Sequence, residues 1–209
     1  MGKTIYTLNN IHAQVIVPSA FRIFAVDKRK EVIAATNFIN AGYFTYLEGG
    51  KTYPVGNLVI NGKIISNAAT NPDWINVAKK NLTTLIVYED NTVEMRRIAD
   101  ISDIPNVKYA ISGIPILKEG YSVKKEKVLE EGYFGSELYD TWHNFIGIRG
   151  TKIVVVGAKC NYTQMPYLME VLGIANAMKL DGGGSFIMKS GSFVTKTSEN
   201  RQIHNIITW

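Results

Sequence analysis

Cysteine occurs once in this 209-residue chain, at Cys160, so no disulfide can close within it and stability cannot depend on oxidation. The thiol reads as a small buried side chain. No apolar run approaches the roughly 20 residues needed to span a bilayer, and Met1 to Asn10 holds no hydrophobic signal segment. The expectation is a chain neither membrane-embedded nor conventionally secreted, cytoplasmic as synthesised. Charge of one sign is in short excess: 23 Lys and Arg against 18 Asp and Glu leave +5. That balance favours an anionic partner but does not separate phosphate, nucleic acid and anionic wall polymer. Lysines gather between Lys118 and Lys127, yet Glu119 and Glu126 interrupt them and Glu130 and Glu131 follow. A solvated loop accounts for this mixture better than a nucleic-acid stripe. Repeats, low-complexity tracts and clear linkers are missing. With 46% hydrophobic and 20% charged residues, disorder is not indicated and one domain over residues 1–209 is expected.

What the chain does contain is short apolar runs broken by turn residues. Leu58 to Ile60 and Lys63 to Ile65 flank Asn61-Gly62, and Leu85 to Tyr88 and Val93 to Met95 flank a second turn. Ile146 to Ile148 and Ile153 to Val156 flank Arg149-Gly150, and Phe186 to Met188 and Ser192 to Val194 flank Ser190-Gly191. Four antiparallel hairpins are expected. One helix stands out, because Met165, Leu168, Met169 and Leu172 recur at the spacing of one helical face. Thr163 reads as its N-cap, Pro166 lies in its first turn and Gly173 stops it. Short turns are expected near Lys28 to Val32 and Asp73 to Lys79. The fold class is therefore α+β, mainly antiparallel β-sheet with few helices. Residues 118–142 carry charge, glycine and the aromatics Tyr121, Tyr133, Phe134, Tyr139 and Trp142. Such an insertion suits a lid that stacks on sugar faces, or a surface for a partner protein.

After the helix, Ala177 to Leu180 reads as a strand that runs into Asp181-Gly182-Gly183-Gly184-Ser185. A carboxylate is thereby set at a strand end beside three residues without Cβ. Backbone N–H groups of such a loop can approach an anion closely. An ordinary tight turn with Asp181 capping its own backbone is the plain alternative.

Elsewhere in the chain stand Asn37-Phe38-Ile39-Asn40-Ala41-Gly42-Tyr43-Phe44, Gly56, Ser112 to Gly120, Ile146-Gly147-Ile148, Leu172 to Ala177 and Arg201 to Asn205. In this order and at these separations they resemble the phosphodiester glycosidase domain family, over most of the chain from Ile33 onward. Asn40 to Phe44 and Asn176 to Ser185 are the most specific segments. The resemblance implies hydrolysis of a sugar-1-phosphodiester in a sugar-phosphate polymer or conjugate such as a cell-wall glycopolymer; the sequence calls for no cofactor and marks no metal ligands. A positively charged, oxocarbenium-like centre needs a nearby carboxylate, and Asp181 is the candidate. The N–H groups of Gly182, Gly183, Gly184 and Ser185, with the Ser185 hydroxyl, are candidates to receive the departing phosphate. That phosphate leaves as a weak base and needs little general-acid help. Asn40 offers an amide to a phosphate or sugar oxygen, and Gly42 would allow close approach beside it, with Tyr43 and Phe44 as core. Ser112 and Gly113 form a weaker second loop. Arg201 either holds an anion or makes a structural ion pair.

Departures from the family pattern bear on the chemistry. His143 stands where the family carries arginine, so an anion held there would bind more tightly as pH falls from about 7 to 6. Gln164 stands at a usual glutamate. Lys179 replaces an asparagine and, on the strand face of Asp181, could lower its pKa. A second class of function, a non-catalytic carbohydrate- or phosphate-binding module in a larger assembly such as a phage virion, fits these losses. Partner chains would then dock through residues 118–142.

Overall fold

The computed structural model describes residues 2–8, 10–29, 32–72, 81–131 and 139–209. In chain order come β1 (Lys3–Leu8), β2 (Ile11–Ile16), β3 (Arg22–Arg29), β4 (Asn37–Asn40), β5 (Phe44–Tyr46) and β6 (Thr52–Pro54). They are followed by β7 (Leu58–Ile60), β8 (Lys63–Ser66), β9 (Leu82–Tyr88), β10 (Val93–Ile98), β11 (Val107–Ser112), β12 (Ile114–Lys118) and β13 (Tyr121–Ser122). The rest is α1 (Lys125–Glu130), β14 (Thr141–Arg149), β15 (Lys152–Cys160), α2 (Gln164–Val171), β16 (Asn176–Gly182), β17 (Ile187–Ser190), β18 (Phe193–Lys196) and β19 (Gln202–Thr208). A seven-stranded sheet has the order β1-β2-β15-β14-β16-β12-β13, and two five-stranded sheets run β10-β9-β11-β7-β8 and β18-β17-β4-β19-β3. The pairings among the described strands are antiparallel. The α+β class dominated by antiparallel sheet is thus the observed one.

All four hairpins form, each on the turn residues that select it. Asn61 and Gly62 both have positive φ, at 49° and 76°, as a two-residue turn matched to strand twist requires. The Gly150 hairpin is far longer than its apolar runs suggest, pairing every position from Thr141↔Cys160 to Arg149↔Lys152. Its strands sit at the centre of the large sheet, which is covered on both faces. Phe145, Val154, Val156 and Ala177 pack on one side with Met165, Leu168 and Met169 of α2. Ile146, Ile153, Val155, Met178 and Leu180 pack on the other with Ile39, Tyr109 and Ile207 of the smaller sheets. A strand buried on both faces reads as an unbroken apolar run, which is why Ile153 to Val156 shows no alternation.

Several expectations need correction. Lys28 and Arg29 belong to β3, paired with Ile203 and Gln202, because strand pairing satisfies their backbone where a local turn would not. The expected turn at 73–79 lies outside the described residues. β1 and β2, which the apolar pattern did not single out, extend the large sheet along β15. Thr163 does not cap α2 with its side chain; Asn161 Oδ1 accepts from the Gln164 N–H instead, at 3.2 Å. Within 118–142, α1 is anchored to the body by Val128 and Glu131, both buried. The Glu131 carboxylate accepts from the Thr83 N–H and hydroxyl, each at 3.0 Å, and pairs with Arg97 at 3.2 Å. Trp142 is not an exposed ring but a half-buried one stacked on Phe186, while Tyr121 and Tyr139 are exposed. Tyr133 and Phe134 lie outside the described residues.

Candidate active site

Asp181 occupies the last turn of β16, where the strand leaves the large sheet and meets the end of β4. Asn40 closes β4, and the chain then passes between the two sheets at Ala41. The Ala41 N–H donates to the Asn205 carbonyl at 3.1 Å, and the Ala41 carbonyl accepts from the Asp181 N–H at 2.9 Å. One residue thereby ties β19 to β16. The two segments that the sequence separates by 141 positions are brought into contact, with Asn40 Nδ2 3.1 Å from the Asp181 carbonyl and 3.4 Å from its Oδ2.

Asn40 is buried and its other hydrogen-bonding atom is fully engaged. Its Oδ1 accepts from the Ile187 N–H at 2.9 Å and from Asn144 Nδ2 at 2.5 Å, and Asn144 Nδ2 also donates to the Asn40 carbonyl at 3.1 Å. Sequence reasoning missed Asn144. Its signal was a lone amide between His143 and Phe145 in a strand otherwise buried, since such an amide needs partners inside. The structure therefore gives Asn40 one donor group facing Asp181 and none of its amide oxygen for a ligand hydroxyl.

The glycine loop differs from the open cradle expected of it. The Gly182 N–H donates to Asp181 Oδ1 at 2.9 Å, and the buried Ser185 hydroxyl hydrogen-bonds the same carboxylate. Two of the groups expected to meet a departing phosphate, the Gly182 N–H and the Ser185 hydroxyl, are directed at Asp181. Gly183 adopts φ 55°, a left-handed conformation that a side chain disfavours. The Thr197 hydroxyl holds the Gly183 and Gly184 carbonyls, each at 3.0 Å. Above Gly184 lies an ion pair: a Cβ there would stand 2.5 Å from both Arg201 Nε and Glu199 Oε2. These two exposed side chains are 2.6 Å apart. Arg201 is thus both a member of an ion pair and close enough to the loop to favour the Asp181 anion. Glu199 is a second carboxylate at the loop that the sequence did not mark.

Asp181 is only partly exposed, and removal from water raises its pKa to about 6. Lys179, the Ser185 hydroxyl, the Gly182 N–H and Arg201 pull it back, in that order. Lys179 is itself buried, with Nζ donating to the Tyr43 hydroxyl and, at 3.1 Å, to the Leu180 carbonyl. Tyr43 is accordingly not a plain core aromatic; its hydroxyl donates to the Leu180 carbonyl at 3.1 Å.

His143 lies next to Gly182 in the β14–β16 pairing and is buried. Its Nε2 is 2.9 Å from the Tyr139 carbonyl, and the Cys160 backbone lies near the ring. Burial and then the Lys179 charge push its pKa down to about 4, outweighing the Tyr139 and Cys160 backbone groups that favour the cation. The ring is therefore neutral between pH 6 and 7. The expected gain of anion affinity over that range has no source at His143.

Four other candidates are engaged elsewhere. Ser112 is buried, its Oγ accepting from the Asn57 N–H at 2.9 Å and lying 3.0 Å from Thr84 Oγ1. Gly113 is needed where β11 crosses into β12, because a Cβ would come 2.6 Å from the Lys179 carbonyl. Gln164 is exposed at the start of α2, its Oε1 accepting from the Asn161 N–H at 3.0 Å. No hydrogen bond among the described residues links it to the Asp181 loop. Gly42 donates its N–H to Asn205 Oδ1 at 2.7 Å and packs against Ile111, so its smallness serves packing. Among the described residues, no group of three or more His, Cys, Asp and Glu side chains could hold a metal ion.

Comparison with known proteins bears on this geometry. The phosphodiester glycosidase family profile matches residues 30–208. Among solved structures, the chain is similar to the catalytic domain of zebrafish N-acetylglucosamine-1-phosphodiester alpha-N-acetylglucosaminidase, auto-inhibited by its pro-peptide. That likeness has a TM-score of 0.77 at 17% identity over 100% of this chain and 81% of that one. A hypothetical protein from Synechocystis is similar with a TM-score of 0.60 at 12% identity, over 99% of this chain and 61% of that one. At these identities the likenesses are of fold. No curated protein matches the chain.

Proposed function

Because the chain belongs to the phosphodiester glycosidase family, as the match over residues 30–208 establishes, we propose that it hydrolyses the bond between a sugar's anomeric carbon and a phosphodiester. The observation that carries this reading is the set of donors converging on one partly open carboxylate. Asp181 receives the Gly182 N–H, the Ser185 hydroxyl and the Asn40 amide at the junction of two sheets. A carboxylate held in that way faces a developing oxocarbenium centre without having to reorganise. With its pKa near 6, Asp181 is ionised at neutral pH and can serve that centre. The departing phosphate needs charge more than a proton, and Arg201 is the cation placed beside the loop. Glu199 takes its Nε, and the guanidinium has four further N–H donors. The substrate class is a sugar-phosphate polymer or conjugate such as a cell-wall glycopolymer, which the net charge of +5 suits.

A non-catalytic binding module is favoured by one observation, the neutrality of His143 where the family carries a permanent cation. Turnover separates the two readings. The protein is incubated with sugar-1-phosphate methyl esters, nucleotide sugars and wall glycopolymers, and free sugar is measured. Release of sugar by the parent and a loss of 10²-fold or more in Asp181→Asn is expected. Binding without release from any of these substrates favours the module, and incorporation into a virion would then be sought in assembled particles.

A further inference from the structure

Lys179 is the buried charge that the proposed chemistry leaves without a task. It is 2% exposed, two residues before Asp181 on β16, and its charge acts on that carboxylate. Taking an ammonium out of water is costly unless it is hydrogen-bonded and its charge is used. Three groups close a triangle around it: Nζ donates to the Tyr43 hydroxyl, the hydroxyl donates to the Leu180 carbonyl at 3.1 Å, and Nζ donates to that same carbonyl at 3.1 Å. Nζ also stands 4.9 Å from the centre of the Tyr43 ring. The Leu180 carbonyl belongs to the peptide entering Asp181. The peptide leaving Asp181 is held by Asn40 Nδ2 at 3.1 Å, and the Asp181 N–H by Ala41 at 2.9 Å. The residue bearing the carboxylate is therefore fixed at three consecutive backbone groups by Lys179 and by the segment from Asn40 to Tyr43.

We propose that Lys179 is a positioning residue for Asp181: its ammonium, locked by Tyr43 to the Leu180 carbonyl, aims the carboxylate and keeps it anionic without touching substrate. This rests on the reading of Asp181 as the working carboxylate. The other titratable groups facing this centre are His143 of β14, Cys160 at the end of β15 with Asp140 near it, Tyr43 after β4, and Arg201 before β19. His143 is neutral above about pH 4, and burial pushes the Cys160 thiol up to about 12. Lys179 and Arg201 are then the cations of this group at neutral pH, and Lys179 acts on Asp181 more strongly than Arg201 does.

The test does not need a substrate. The Asp181 carboxyl is titrated by 13C NMR in the parent, in Lys179→Met and in Tyr43→Phe. The midpoint is expected near pH 6 in the parent, to rise by about one unit in Lys179→Met, and to rise by a fraction of that in Tyr43→Phe, where the ammonium stays but loses its lock. Where turnover is measurable, the acid limb of kcat/KM moves by the same interval while KM changes little. An unmoved midpoint in folded Lys179→Met overturns the proposal. Should that variant not fold, an unmoved midpoint in Tyr43→Phe does so. A shifted midpoint in a protein that releases no sugar supports the positioning role and counts against hydrolysis, so the two ideas fail separately.

Discussion

Asp181 and His143 are both shifted by burial toward their neutral forms, and so in opposite directions. A carboxylate whose pKa rises from 3.8 to about 6 holds its proton more tightly in the folded chain. The stability this contributes is present below about pH 4 and is lost as pH rises through 6. Asp181→Asn removes the penalty, so its stability relative to the parent increases between pH 4 and 7.5. Two units correspond to a ceiling of about 2.7 kcal/mol, and the partial exposure of Asp181 brings the expected gain to about 1 kcal/mol, readable by chemical denaturation at the two pH values. His143 has the reverse sign: its lowered pKa contributes stability above 6.5 that is lost as pH falls toward 4. Its ring proton signals should titrate near 4, and in Asp181→Asn, where no carboxylate titrates near 6, affinity for a sugar-1-phosphodiester should stay flat from pH 7 to 6. Arg201 gives a prediction of its own. Glu199→Gln releases its guanidinium, so a sugar-1-phosphate should bind about threefold more tightly, whereas Arg201→Ala should weaken binding about tenfold, both by calorimetry.

At the level of elements, what could be read in advance was whatever depended on neighbours in the chain. Asn61-Gly62, Gly150 and Gly191 declare their hairpins, and the spacing of Met165, Leu168 and Met169 declares α2. The β1–β2 hairpin and the inclusion of Lys28 and Arg29 in β3 were hidden, because those backbones are satisfied by β15 and β19, far away in sequence. The same holds in the site. That the Asn40 and Asp181 segments share a site was implied by the family resemblance, but the partners of each donor were not legible. That Gly182 and Ser185 serve Asp181, and that Asn144 and Ile187 consume the Asn40 oxygen, are facts of side-chain direction that a linear pattern does not carry. Two substitutions probe this junction. Asn40→Ala strands the Ile187 N–H in the interior and leaves Asn144 Nδ2 only backbone carbonyls to donate to, and should cost about 1–3 kcal/mol in denaturant unfolding, because an unmade buried hydrogen bond is expensive. Gly184→Ala meets only the far ends of exposed side chains, Arg201 and Glu199, which can swing aside. Its unfolding free energy should stay within about 0.5 kcal/mol of the parent while sugar-phosphate affinity falls, as a displaced Arg201 requires.

The molecule as a whole places its polar site at a seam. A large sheet, apolar on both faces, meets two smaller sheets, and the chain crosses between them at Ala41 with Asp181 directly alongside. Rigid strands on both sides fix the carboxylate, and the family relationship over residues 30–208 says what kind of bond such a site cleaves in its relatives. The most direct test of the central claim is the rate of sugar release from a sugar-1-phosphate methyl ester as a function of pH, in the parent and in Asp181→Asn. The account predicts release by the parent that rises about tenfold per pH unit below 6 and levels off above it, with release by Asp181→Asn lower by 10²-fold or more on the plateau and the gap closing as pH falls below 6. Equal rates in the two proteins above pH 6, or a parent whose rate falls as pH rises through 6, would contradict it.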